Sequence, residues 1–327
     1  MNPFNSLRVF DENGKATARV VQVALSELSP GEVVLQTAYS SVNYKDALAA
    51  TGAGKIIRSF PRIAGIDATG TVISSADARF KAGDEVICTS YELGVGHDGG
   101  FSQVCRVPAD WVVPLPKGLT LFEAAALGVA GYTAGLAMEL LELNGMAPGN
   151  GKVLVNGATG GVSTIAIDML AMRGYHVVAV TGKDAEHAYL EKLGAKEVLS
   201  RHQLEMGARP LEKAQWAAAF DSVGGEQLAW LTRTMQTDGL IASYGNAGGI
   251  EFKTTVLPFI LRGVRLIGVE SGSTPMPLRR RIWARLAADL KPRHLGDIAH
   301  VITLDDLSSY FDSMLKGQIR GRAIVKL

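Results

Sequence analysis

The stretch Val153-Leu154-Val155-Asn156-Gly157-Ala158-Thr159-Gly160-Gly161-Val162-Ser163 constrains this chain more than any other. A short continuous apolar run enters a glycine-rich turn, and the segment Thr164 to Met172 beyond it has a helical pattern. Small residues there let the backbone approach a pyrophosphate, whose charge is met by amide N–H groups and the helix dipole. The spacing Gly157-x-x-Gly160-x-x-Ser163 departs from the usual fingerprint only at its last position. That position serves close packing of helix on strand, so a serine is tolerable. A glycine motif alone is weak, but this one lies between a predicted strand and helix, with a second strand at the expected distance. That context favours dinucleotide binding over a merely structural turn.

The end of the second strand bears on which dinucleotide. A site for the unphosphorylated ribose usually carries Asp or Glu there. Here the strand ends Val180-Thr181-Gly182-Lys183, a hydroxyl and a cation, which would hold a 2′-phosphate where a carboxylate would repel it. Asp184 is the one dissenting residue, yet it falls one step into the next helix, where an acid favours the N-terminus. Arg201, after a third predicted strand, offers a second cation. The expectation is NADPH, against ordinary surface charge for Lys183 and Arg201.

The rest of the chain falls into two grammars. Up to about residue 120, short runs such as Val33–Thr37, Gly70–Ile73, Glu85–Cys88 and Trp111–Leu115 are bounded by Gly, Pro and Asp, which suits an irregular β-barrel. Beyond Thr120, helical patterns alternate with apolar strands at Val153–Val155, Val177–Val180, Ala217–Phe220, Gly239–Ser243 and Val264–Val269. Continuous apolar strands separated by helices indicate a parallel sheet covered on both faces. Amphipathic helices are expected around Ile282–Leu290 and Leu304–Leu315, and a last strand at Ala323–Leu327. The fold class is α/β.

With 33 Lys and Arg against 32 Asp and Glu, the net charge of +1 gives no reason to expect a nucleic-acid partner. The cluster Arg279-Arg280-Arg281 reads as a solvated helix face. Two cysteines, Cys88 and Cys105, make neither a disulfide framework nor a structural zinc site, and read as free buried thiols. The N-terminus lacks the basic start and apolar run of a signal peptide. The apolar segment from about Ala124 to Leu143 is broken by Glu139 and Glu142, so a buried helix is expected rather than a membrane span. A cytoplasmic protein with no membrane partner is the expectation.

Several segments together resemble the medium-chain dehydrogenase/reductase superfamily: Ser41-Val42-Asn43-Tyr44-Lys45-Asp46, Gly65-Ile66-Asp67-Ala68-Thr69-Gly70, Gly83-Asp84-Glu85-Val86, Ala124–Gly128 with Gly131–Ala134, and Phe220–Gly224. The resemblance implies a GroES-like β-barrel domain plus a Rossmann doubly wound domain. The boundaries expected are 1–122 for the GroES-like part, 123–265 for the nucleotide domain and 266–327 for the C-terminal return. Zinc-dependent members carry a Cys in the first motif and a His-Glu pair in the second; Asn43-Tyr44 and Ile66-Asp67 stand in those regions, so no metal is expected. Longer matches, among them Gly52–Arg58, Gly94–Gly100, Arg209–Lys213, Thr254–Arg262 and Gly321-Arg322, are similar to the YhdH-type acrylyl-CoA reductases. That branch implies NADPH-dependent reduction of acryloyl-CoA by a homodimer. It further implies cofactor contacts at Tyr44, Thr159, Gly160, Gly161, Val162, Thr181, Gly182, Lys183, Arg201, Asn246, Ile260 and Ser271. Lys183 stands where relatives commonly carry Arg, and Gly317 where the family tends to offer Asn.

Hydride delivery to the β-carbon of an α,β-unsaturated thioester leaves charge on the thioester oxygen, so the site needs donors aimed there and a proton source for the α-carbon. Tyr44 is the candidate for positioning and proton donation, or else a wall of the pocket. Asn43 is the candidate donor to the oxygen, or a turn-stabilising residue. Asp67 reads as structural, and His97 as a solvated loop residue or a shaper of the substrate entrance. Lys55 and Arg58 would meet the phosphates of CoA or serve as ordinary surface charge. The alternative functions are an NADPH:quinone oxidoreductase and a non-catalytic NADPH-binding protein.

Overall fold

The computed structural model describes residues 2–327. The chain divides into two compact units. One takes in the chain through Ala130 together with Gly272–Ala287 and Leu295–Leu327; the other comprises Gly131–Ser271 and Ala288–His294.

The first unit is built on two sheets. The larger runs in the order Ala299–Ile302, Arg322–Lys326, Val33–Ser41, Asp67–Ser75, Glu85–Thr89, Val112–Pro114, with Val104–Val107 also pairing with Val33–Ser41. The smaller joins Lys15–Val23, Phe4–Glu12 and Arg62–Ile63. Alternation in Leu35-Gln36-Thr37, buried, exposed, buried, shows one face turned inward. Val33, Leu35, Val72, Val86, Val107 and Val112 form the core beneath it. Arg322–Lys326 pairs antiparallel with Val33–Ser41, matching Ile324 to Ser41, so sequence from the far end of the chain lies beside one of the first strands. Helix α1 (Tyr44–Thr51) packs its alanines with Leu307, Phe311 and Met314 from the helix Leu307–Leu315.

The second unit holds a six-stranded parallel sheet: β1 (Lys152–Val155), β2 (His176–Thr181), β3 (Glu197–Ser200), β4 (Trp216–Asp221), β5 (Met235–Ser243) and β6 (Arg265–Gly268). Their order is β3-β2-β1-β4-β5-β6, all parallel, so the order reverses between β1 and β4. The central strands are continuous apolar runs because helices cover both faces.

Helix α2 (Leu121–Leu143) is long and apolar enough to span a membrane by composition alone, yet Leu127, Leu136, Met138 and Leu141 are buried inside the protein. Its helical geometry is broken at Gly128 (φ 49°, ψ −154°). The two thiols are free and buried. Burial pushes the Cys105 thiol up to about 12 and raises Cys88 further still, so neither offers a thiolate near neutrality.

Two expectations need correction. The helix expected around Ile282 starts earlier, at Met276–Leu286, with Pro277 in its first turn where a missing N–H costs nothing. Its Arg279 is not on a solvated face. It is completely buried, donates to the Thr89 carbonyl and hydroxyl (3.1 Å each) and to the Gly272 carbonyl (3.0 Å), and lies over the Tyr91 ring at 4.3 Å. Arg280 and Arg281 face solvent as expected.

Candidate functional site

In the second unit the glycine turn leaves β1 and opens helix α3 (Gly161–Met172). Gly157 has φ 55°, and a Cβ there would lie 2.3 Å from the Ser222 hydroxyl, so only glycine fits. Gly160 caps the helix without a side-chain hydrogen bond, and the first bond along the helix runs from the Thr164 N–H to the Gly160 carbonyl at 2.9 Å. The amides ahead of that bond are the ones a helix leaves unpaired, and they carry the positive end of its dipole. Thr159, Gly160, Gly161 and Val162 form this turn, which fits a pyrophosphate. Ser163 is buried and donates to the Asn156 carbonyl at 2.9 Å, tying the helix to the strand end as its small size allows.

Around the switch point, short polar residues at strand ends lock one another. Asn156 donates to Asp221 Oδ1 at 2.7 Å and accepts from the Ser222 N–H at 2.8 Å. Asp221 also accepts from Ser243 at 2.9 Å. One network therefore clamps the exits of β1, β4 and β5. Sequence reasoning gave these residues no role; the only signal was a single Asn or Asp directly after an apolar strand.

The exits of β2 and β3 bring Thr181, Gly182, Lys183 and Arg201 together. Thr181 Oγ1 accepts from the Lys183 N–H at 3.0 Å. The Arg201 guanidinium lies against the Gly182 backbone, since a Cβ on Gly182 would stand 2.8 Å from its Cζ. Asp184 turns toward His187, 3.8 Å away, within the next helical turn. Asn246 lies in the exposed turn beyond β5 and Ser271 beyond β6, its hydroxyl 2.8 Å from Thr133 Oγ1. Ile260 is placed differently. It sits, 68% exposed, on the helix Leu257–Arg262, whose Arg262 donates to the carbonyls of Arg233 and Met235 where β5 begins.

The first unit holds a second constellation. Asn43, at the N-cap of α1, is buried, and its Nδ2 donates to Asp67 Oδ2 (2.8 Å), the Ser41 carbonyl (3.1 Å) and Asp46 Oδ2 (3.3 Å). Its Oδ1 accepts from Arg322 Nη1 at 2.9 Å. With its amide hydrogens engaged, Asn43 has no donor left for a substrate oxygen; that expectation is corrected, and Asn43 instead ties the start of α1 to Asp67 and Arg322. Asp67 accepts from Ser41 (2.5 Å) and from the Val129 N–H (3.0 Å), the amide released where α2 breaks. A Cβ on Gly128 would fall 2.6 Å from both Asp67 Oδ2 and Ser41 Oγ, so the break and the network require each other. Arg322, 3% exposed, donates to Ser41 Oγ at 2.7 Å and stands 3.7 Å from Asp67. Burial works against every charge here. It pushes Asp46 up to about 7, aided by the neighbouring Asp67 charge, raises Asp67 against the pull of Arg322, and lowers Arg322. Arg322 was given no role by sequence reasoning because its partners lie far away in the chain, and Asp46 because a carboxylate three residues after Asn43 reads as an ordinary helix cap.

Tyr44 follows Asn43 as the first residue of α1 and is 49% exposed, so the network fixes the turn that carries it. His97 is not a solvated loop residue. It is buried, its ring nitrogens meet the carbonyls of Asp98 (3.0 Å) and Pro30 (2.8 Å), and it packs edge-on to Trp111.

Residues 29–117 match the family described as the alcohol dehydrogenase GroES-like domain, and residues 161–288 that described as zinc-binding dehydrogenase. The acrylyl-CoA reductase AcuI of Ruegeria pomeroyi is 45% identical over 98% of both chains. The chain belongs to the medium-chain dehydrogenase/reductase superfamily. Within it, YhfP of Bacillus subtilis, described as a putative quinone oxidoreductase, is 47% identical over 99% of both chains, and its crystal structure with NAD bound matches at a TM-score of 0.97. The yhdH oxidoreductase of Salmonella enterica, in complex with NADP, matches at 0.96 with 45% identity over 99% of both chains. These similarities place the chain in the YhdH/AcuI-like branch of the superfamily and give its two units their GroES-like and Rossmann identities. The zinc ligation found elsewhere in the superfamily does not fit the residues present. The converging donors hold a guanidinium in their midst, which repels a second cation, and among the described residues no three His, Cys, Asp or Glu side chains group to hold a metal.

Proposed function

We propose that this chain is an NADPH-dependent, zinc-independent reductase of the carbon–carbon double bond in an α,β-unsaturated thioester, with acryloyl-CoA reduced to propionyl-CoA. The observation that carries the cofactor half is the exit of β2 and β3, where a hydroxyl, Lys183 and Arg201 stand together while Asp184 turns toward His187. The substrate half is supported by the full-length similarity to AcuI.

NADPH, when bound, supplies the hydride. The chain does the rest. The turn amides of Thr159, Gly160, Gly161 and Val162 hold the pyrophosphate, Lys183 and Arg201 hold the 2′-phosphate, and Asn246 and Ser271 line the same row of strand exits. The buried Asn43–Asp46–Asp67–Arg322 network holds the start of α1 rigid, and Tyr44 presents its hydroxyl from that rigid point to orient the thioester and supply a proton. The domain division at 1–122, 123–265 and 266–327, a cytoplasmic location and a homodimeric assembly complete the proposal; they rest on the resemblance to YhdH-type enzymes.

Steady-state oxidation of NADPH with acryloyl-CoA, crotonyl-CoA and a simple quinone side by side tests the reading. Acryloyl-CoA is expected to have the highest kcat/KM, and parity among the three overturns it. The name carried by YhfP favours a quinone as the second reading, and the same assay separates the two.

A further inference from the structure

A cavity of about 510 Å³ opens in the first unit between the hairpin turn at Asp11–Gly14, the end of α1 and the loop beyond it. Three cations surround it: Lys15 from the hairpin, and Lys55 and Arg58 from the loop. None of the three makes an ion pair or side-chain hydrogen bond among the described residues. The single carboxylate on the rim, Asp11, is engaged by the Gly14 N–H at 2.7 Å. The floor is apolar, with Ala16, Ala49 and Ile57, and the exposed ring of Phe60 (38%) stands at the edge. Three cations without side-chain partners beside an aromatic ring suit an anion that carries a flat ring.

We propose that this cavity holds the nucleotide end of the coenzyme A thioester: Lys15, Lys55 and Arg58 meet its phosphates, and Phe60 stacks on its adenine. The proposal rests on the thioester reading above and adds a seat for the part of the substrate remote from the reacting double bond. Its distance from the chemistry is set by α1. Tyr44 begins that helix and Thr51, on the cavity wall, ends it; seven steps at ~1.5 Å each put the two about 10 Å apart along its axis. An extended pantetheine arm spans that length, so one substrate reaches both. Gly52 turns the chain at the helix end with φ 74°, and its Cα packs beside Ala16, which joins the two sides of the cavity.

The test compares acryloyl-CoA with acryloyl-pantetheine, which carries the same reacting group and no nucleotide. In the wild type the ratio of their kcat/KM values is expected well above one. In the triple variant Lys15→Glu/Lys55→Glu/Arg58→Glu it falls by roughly tenfold or more, through KM rather than kcat, whereas Arg58→Lys in an otherwise native chain keeps most of it. Adenosine 3′,5′-bisphosphate competes with acryloyl-CoA in the wild type and loses potency in the triple variant by a similar factor. An unchanged ratio, or an equal loss for both thioesters, overturns the proposal. If the wild type reduces neither thioester, the enzymatic reading fails instead; calorimetric titration of adenosine 3′,5′-bisphosphate into wild type and triple variant then decides the cavity alone, equal affinity in both refuting it.

Discussion

Replacing Asp46 with Asn should flatten the pH dependence of stability between pH 5 and pH 8. Asp46 is 1% exposed and its carboxyl titrates near 7 in the folded chain, chiefly because burial disfavours the anion and secondarily because Asp67 lies close. In the unfolded chain it titrates near 4. Below about pH 4 both states hold the proton and the group is neutral in the balance. Between about 4 and 7 only the folded state holds it, so each rise of one pH unit favours unfolding by about 1.4 kcal/mol. Above 7 both states have lost it and the penalty levels off. From pH 5 to pH 7 the loss is about 2–3 kcal/mol, or roughly 5–10 °C in Tm for a body of this size. The substituted asparagine keeps the shape but loses the acceptor now bonded by the Asn43 N–H at 2.8 Å, a cost of about 1–3 kcal/mol that does not vary with pH. The exposed carboxyls held low, such as Asp77, act only at more acid pH, and His300, whose pKa is lowered by burial, is common to both proteins. Thermal melts of both proteins at half-unit intervals give the difference curve. Parallel curves from pH 5 to pH 8 would refute the reasoning, because they would mean Asp46 is already ionised throughout.

Lys183→Glu should raise KM for NADPH by roughly ten- to hundredfold and change that for NADH far less; equal losses would show that Lys183 does not meet the 2′-phosphate. Tyr44→Phe keeps the ring and removes the hydroxyl, so kcat should fall by about 10² with NADPH affinity retained, whereas a change under about threefold returns Tyr44 to a wall of the pocket. Gly128→Ala places a Cβ 2.6 Å from the Asp67 carboxylate at a φ of 49°, and the denaturant midpoint should drop by the equivalent of about 2–4 kcal/mol. A midpoint within 0.5 kcal/mol of wild type (about the scatter of surface substitutions) would mean the helix break relaxes freely.

The parallel sheet was legible because its strands are unbroken apolar runs and the turn after β1 has few other uses. Val153–Val155 and the residues to Ser163 lie where the pattern puts them. So do Lys183 and Arg201, because a strand end is a local feature and the residues next in sequence are also next in space. The buried network was not legible. Arg322 stands at the far end of the chain from Asp46 and Asp67, and an isolated Arg reads as surface. Arg279 was hidden by its neighbours: three arginines in a row look like one solvated face, although a helix turns each by about 100° and sends one inward. Asn43 shows the opposite limit. Its motif was recognised, but only the hydrogen bonds reveal that its amide is already spent. Ile260 was carried by resemblance alone.

The strand Arg322–Lys326 occupies an interior place in the larger sheet, between Ala299–Ile302 and Val33–Ser41, and it carries the guanidinium that answers Asp67. A ribosome therefore delivers Asp67 long before its counter-charge. Throughout that interval the Tyr39–Ser41 end of Val33–Ser41 lacks its neighbour on one edge, and Asp67 is a carboxylate without its cation. The parallel-sheet unit suffers no such delay, since nearly all of it is contiguous sequence. Translation order thus makes the earlier-synthesised half the later one to close, and a premature stop just before residue 322 would leave a nucleotide-fold body attached to an unfinished sheet.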